Sequence, residues 1–128
     1  MTNIKRRILI VDDERTVAQS IRLALAGEDV EVDVVLSGED ALDRTKGTDY
    51  DLILCDLMMP GLSGLDLLKS LRGNRPKTPV IMITGYPTVR TAEESVKMGA
   101  FAYLTKPFTP AEIRTAAARA LGLSESHP

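Results

Sequence analysis

The chain has 128 residues, 44% hydrophobic and 27% charged, with a net charge of −2; that supplies the length and apolar material for one domain with a real core. No basic patch marks a nucleic-acid surface, no apolar run approaches the ~18 residues of a membrane helix, and the single cysteine, Cys55, excludes an internal disulfide. Lys5, Arg6 and Arg7 precede an apolar run too short for a signal peptide, so the expected setting is cytoplasmic, without a membrane and without direct nucleic-acid binding.

The first apolar run, ILIV at 8–11, predicts a strand, and three carboxylates follow it at once: Asp12, Asp13 and Glu14. Val17, Ile21 and Leu25 fall on one helical face, with Gly27 as a stop signal. Val30, Val32 and Val34 alternate with Glu31 and Asp33, the period of an edge strand with one wetter face. SGED at 37–40 starts a helix that Gly47 would end. LILC at 52–55 predicts a third strand, closed by Asp56. Leu65, Leu68 and Leu71 then share a helical face up to Gly73.

VIMI at 80–83 predicts the fourth strand, followed by Thr84 and Gly85. Val89, Ala92 and Val96 repeat a helical spacing before Gly99. A weaker fifth strand at 101–104 leads to Thr105, Lys106 and Pro107. Thr109, Pro110 and Glu112 form a capping box, and Ile113, Ala117 and Leu121 carry the last helix to Gly122. Residues 123–128, with His127, read as a tail or the start of a linker.

Strict alternation of strands and helices gives an α/β fold, (βα)5: a doubly wound, five-stranded parallel sheet with helices on both faces, in one domain over 5–122. Four-residue, wholly apolar strands fit a sheet covered on both sides. In such a sheet every strand ends on the same edge, where ligands bind. Asp12, Asp13, Asp56, Thr84 and Lys106 therefore converge. Two like charges at 4 Å repel by about 4 kcal/mol at an effective dielectric of 20. Lys106 offsets one charge, and the rest call for protonation or a divalent cation. An all-oxygen donor set selects Mg²⁺ or Mn²⁺ over zinc. A cation, a Lys charge and a Thr hydroxyl around a free carboxylate are the parts that stabilise a transferring phosphoryl group.

The motifs VDDE, DLMMPGLSG, TGY and LTKPF together resemble the receiver domain of two-component response regulators, over essentially residues 5–122. The stretch from Thr84 to Phe108 is most similar to receivers of the nitrogen-regulator type. The resemblance implies a flavodoxin-like sheet in the strand order 2-1-3-4-5. It implies Asp56 as the phosphoacceptor, charged by a sensor histidine kinase. It implies Asp13 as a direct Mg²⁺ ligand, Asp12 as a ligand through water, and Met58 as a ligand through its backbone carbonyl. Lys106 and Thr84 would meet the phosphoryl group, Tyr103 would turn inward behind Thr84, and Lys106-Pro107 would be cis. Met58 and Tyr86 would flank the site.

On that reading the protein is a switch more than an enzyme, catalysing only its own phosphoryl uptake and slow loss. Residues about 86–121 would meet an output domain, a target or a second copy. Two other readings stay open. A degenerate receiver would act by binding alone. A metal-dependent phosphatase would need an acid two residues after Asp56, where this chain has Met58.

Overall fold

The computed structural model describes residues 5–27 and 29–123; of the predicted tail at 123–128, residues 124–128, with His127, lie outside them. Strands and helices alternate: β1 (Arg6–Val11), α1 (Arg15–Leu25), β2 (Val30–Val35), α2 (Gly38–Gly47), β3 (Leu52–Asp56), α3 (Gly64–Asn74), β4 (Val80–Thr84), α4 (Val89–Lys97), β5 (Ala102–Thr105) and α5 (Pro110–Ala120). All pairings are parallel, in the order β2-β1-β3-β4-β5. Each of the five expected strands and helices is present, β2 is the expected edge strand, and β5 starts one residue later than predicted.

The apolar runs work because each residue has a covered face to point into. Leu9, Val11, Ile53, Cys55 and Met82 pack toward α2 and α3 with Leu67, Leu68 and Leu71. Ile8, Ile10, Leu54, Ile81 and Ile83 pack toward α1 and α5 with Ile21 and Ile113. Both faces of β3 and β4 are buried, so a slip by one would exchange the side chains of the two cores and disturb the packing of each. Ser37, Ser63, Thr88 and Thr109 cap the N-termini of α2 to α5 through their side chains. Gly73, predicted as a stop, lies inside α3, which runs one residue further.

Helix α4 departs from expectation. Its Val89, Ala92 and Val96 stripe would be read as core-facing, yet Val89 is 77% and Val96 69% exposed. The one buried residue of α4 is Ser95, whose hydroxyl donates to the Thr91 carbonyl at 2.8 Å. The helix turns its hydroxyl-bearing side inward, where Thr91 also bonds Tyr103, and leaves its apolar side to solvent.

At the far edge, Asp33 on β2 accepts from the Tyr50 hydroxyl at 2.6 Å and pairs with Arg7 (3.4 Å) and Arg44 (3.3 Å). Arg7 also lies 5.7 Å from the centroid of the Tyr50 ring. These contacts tie β1, β2, α2 and the loop before β3 together.

Gly64 opens α3 against the end of β3. Its N–H donates to the Leu57 carbonyl at 3.0 Å, and a Cβ there would lie 2.3 Å from the Asp56 carbonyl oxygen and 2.7 Å from the Leu57 Cα. Both obstacles are backbone, so neither can swing away. Gly64→Ala is expected to cost roughly 1–3 kcal/mol of stability by overpacking, measured by urea unfolding; a loss under about 0.5 kcal/mol would show that α3 slides freely.

Candidate functional site

Register brings the predicted residues together. Val11 lies opposite Cys55, so Asp12 emerges beside Asp56. Asp56 lies opposite Ile83, and Thr84 opposite Thr105, which puts Thr84 and Lys106 on the same edge. The backbone continues this alignment past the strands: Asp12 N–H bonds Val35 O at 3.2 Å, Leu57 N–H bonds Ile83 O at 2.8 Å, and Lys106 N–H bonds Thr84 O at 2.8 Å. The Lys106-Pro107 peptide is cis.

Asp12 and Asp56 are both buried, while Asp13 is exposed. One carboxylate oxygen from each of the three can be chosen so that all lie within 4.8 Å of one another. Lys106 Nζ stands among the acids, 3.3 Å from Glu14 Oε1, 3.4 Å from Asp12 Oδ2 and 3.5 Å from Asp56 Oδ1. Asp12 Oδ1 accepts the Glu14 N–H at 2.8 Å. Asp12 Oδ2 is buried and, despite the nearby ammonium, makes no hydrogen bond among the described residues.

The electrostatics follow from burial. Loss of solvent, then repulsion from Asp12, pushes the Asp56 carboxyl up to about 6 against the pull of Lys106. Burial also raises Asp12, opposed by the Glu14 N–H and Lys106. For Lys106, burial works against the charge, but Asp12, Asp56 and Glu14 outweigh it and the ammonium is held above its ordinary range. Cys55, beside Asp56 in sequence, is fully buried and its thiol is pushed up by burial, so it is no nucleophile.

A divalent cation fits this donor set. The ligand atoms are hard carboxylate oxygens, clustered and short of positive charge, and Asp12 Oδ2 is a buried acceptor without a donor. An open pocket rises above the cluster, lined by Glu14, Asp56, Met58, Tyr86, Lys106 and Phe108 among others. Met58 and Tyr86 expose their side chains at its rim.

Two residues sit differently from a closed phosphoryl cradle. Thr84 is completely buried, and its Oγ1 accepts the Tyr86 N–H at 3.0 Å, leaving the hydroxyl proton to donate elsewhere. Tyr103 is half-buried, and its hydroxyl bonds Thr91 Oγ1 at 2.7 Å, on the first turn of α4. Sequence reasoning missed the side-chain role of Glu14. Its signal was the third acid in VDDE, but the contact to Lys106 spans 92 positions and depends on the direction of a long side chain.

Known proteins resemble this chain in sequence and fold. The cell cycle response regulator CtrA of Brucella ovis is 37% identical over 107 residues, covering 84% of this chain and 46% of CtrA. The chain thus spans about half the length of the curated relatives it matches. Among solved structures, a CheY-like receiver domain protein from Methanospirillum hungatei JF-1 matches with a TM-score of 0.88 and 30% identity, over 92% of this chain and 94% of that one. The receiver domain of NtrX from Brucella abortus matches with a TM-score of 0.85 and 31% identity, over 91% and 99%. A family model described as the response regulator receiver domain matches residues 8–118. With the fold, the strand order and more than two thirds of its length in agreement, the chain belongs to the response regulator receiver domain family.

Proposed function

We propose that this receiver domain is a phosphoacceptor switch: Asp56 takes a phosphoryl group from the phosphohistidine of a sensor kinase, with Mg²⁺ or Mn²⁺ bound, and the change is read on the face built by α4, β5 and α5. The observation that carries this reading is the state of Asp56. It is a buried carboxylate at a strand end, 3.5 Å from a buried-side ammonium, clustered with two further acids and lying on the floor of an open pocket.

The residues divide the task by position. An Asp56 oxygen attacks phosphorus as the P–N bond of the donor breaks and the imidazole leaves with the electron pair. Asp13, Asp12, an Asp56 oxygen and the Met58 carbonyl would hold the cation. That cation supplies charge neutralisation for the incoming phosphoryl oxygens. Lys106, 3.5 Å from Asp56 Oδ1, would supply a second positive charge to the phosphoryl oxygens. Thr84 has a hydroxyl proton to offer once a phosphoryl oxygen arrives. Preorganised charge of this kind costs no rearrangement during the reaction.

Modification changes which contacts are satisfied, and so shifts a population between arrangements of the same fold. The segment best able to respond is α4 with β5. The helix keeps a single buried residue, and its N-terminus is tied to Tyr103 by one hydroxyl pair. Exposed Val89, Val96 and Phe101 give that face apolar surface for an output domain, a target or a second copy.

Acetyl phosphate with Mg²⁺ is expected to add one phosphoryl group, read by intact mass, and Asp56→Asn or removal of Mg²⁺ to abolish the addition. Addition that persists in Asp56→Asn would put the acceptor elsewhere. No addition to folded wild-type protein from acetyl phosphate or from a phosphorylated kinase would identify a receiver that acts by binding alone.

The raised Asp56 carboxyl gives a second test. In metal-free protein the folded state holds the Asp56 proton up to about pH 6, whereas the ordinary value is 3.8. The native state binds more protons in that window, so this group's contribution to stability falls as pH rises through it and returns as pH falls. With EDTA present, Asp56→Asn is expected to exceed wild type by roughly 1–3 kcal/mol at about pH 7.5, and by about half of that near pH 5. A difference independent of pH in urea unfolding would mean that Asp56 ionises without penalty.

A further inference from the structure

Among the described residues the Lys106 ammonium makes one side-chain hydrogen bond, and it goes to neither of the buried acids. Its Nζ donates to Glu14 Oε1 at 3.3 Å, while the approaches to Asp12 and Asp56 are ion-pair contacts alone. Glu14 is the N-cap of α1, a position where a side chain commonly caps the helix, yet it makes no capping hydrogen bond. Its backbone N–H is taken by Asp12. The carboxylate is therefore free of helix duties and reaches across the pocket mouth, with its side chain 64% exposed, to the one ammonium of the site.

We infer that Glu14 is a positioning residue for phosphoryl uptake: it holds Lys106 in the unmodified protein and competes with the incoming phosphoryl group for that ammonium. The inference rests on the phosphoacceptor reading of Asp56. A phosphoryl group bound there places anionic oxygens at the acid cluster. The ammonium has three N–H donors, so Glu14 competes for its position and charge and not for a single bond: a pull toward the pocket mouth draws Nζ away from the acceptor oxygens, and the Glu14 charge also opposes the anionic donor as it enters. Because the carboxylate is largely exposed, water and salt weaken the pair, and the effect is one of tuning.

Two substitutions in the full chain separate contact from charge. Glu14→Gln keeps the length and removes the charge. Glu14→Asp keeps the charge and shortens the arm, and Asp at an N-cap position is drawn to the helix's own N–H groups. The rate of mass addition from subsaturating acetyl phosphate with Mg²⁺ is expected to rise about two- to fivefold in Glu14→Gln at low ionic strength, with the gain shrinking as salt is added. Glu14→Asp is expected to show a rise of the same sign, and beryllofluoride to bind both variants more tightly than wild type. Circular dichroism checks that each is folded.

Wild-type rates in both variants would overturn the inference while leaving the phosphoacceptor reading intact. A rise in Glu14→Gln with none in Glu14→Asp would also overturn it, since the effect would then be the field of the charge without the hold on Lys106. Failure of wild type and both variants to accept a phosphoryl group would remove the underlying reading, and the inference with it.

Discussion

A single ammonium is shared by more carboxylates than it can neutralise, and the rest of the domain is arranged around that shortage. Among the described residues Lys106 is the basic side chain within ion-pair distance of Asp12, Glu14 and Asp56. The sheet beneath is completely apolar through β3 and β4 up to Asp56 and Thr84, so it offers the charges no counter-ion and no water. Excess negative charge on a buried floor has two outlets: a proton, which the raised Asp56 value favours, or a cation from solution. An electrostatic deficit built into the protein favours added positive charge; on the proposed reading that charge would in turn draw a group bearing anionic oxygens.

The apolar runs made the fold legible because burial on both faces leaves a four-residue strand with few alternatives. Placement of Asp12, Asp56, Thr84 and Lys106 followed from topology, since parallel strands end on one edge whatever their order in the chain. Boundaries were less legible. β5 begins at Ala102 and not at Phe101, because Phe101 turns half out to solvent. Glu14 was visible as a residue and opaque as a contact: no local pattern states which way a glutamate at a helix start will lean.

Helix α4 marks the limit of periodicity as a guide. A stripe of Val89, Ala92 and Val96 has the spacing of a core-facing helix, and the structure turns Val89 and Val96 outward and leaves Ala92 partly covered. Spacing identifies that a face is apolar; it does not say whether the domain itself covers that face. Here the inward side carries Thr91 and Ser95, which satisfy their own hydroxyls locally and, through Thr91, hold Tyr103. Tyr103, Thr91 and the cap at Thr88 form a short polar chain from the sheet to the helix start.

The far side of the domain has the opposite character. Asp33 is held by Tyr50, Arg7 and Arg44, and Gly64 presses the start of α3 onto the backbone at Asp56 without room for one more carbon. Asp56 is therefore clamped from the α3 side and open toward β5. On the proposed reading such asymmetry would insulate the chemistry from whatever meets α4 or α5: a partner bearing on that side would leave Asp56 in place, so one reaction centre could serve many different assemblies.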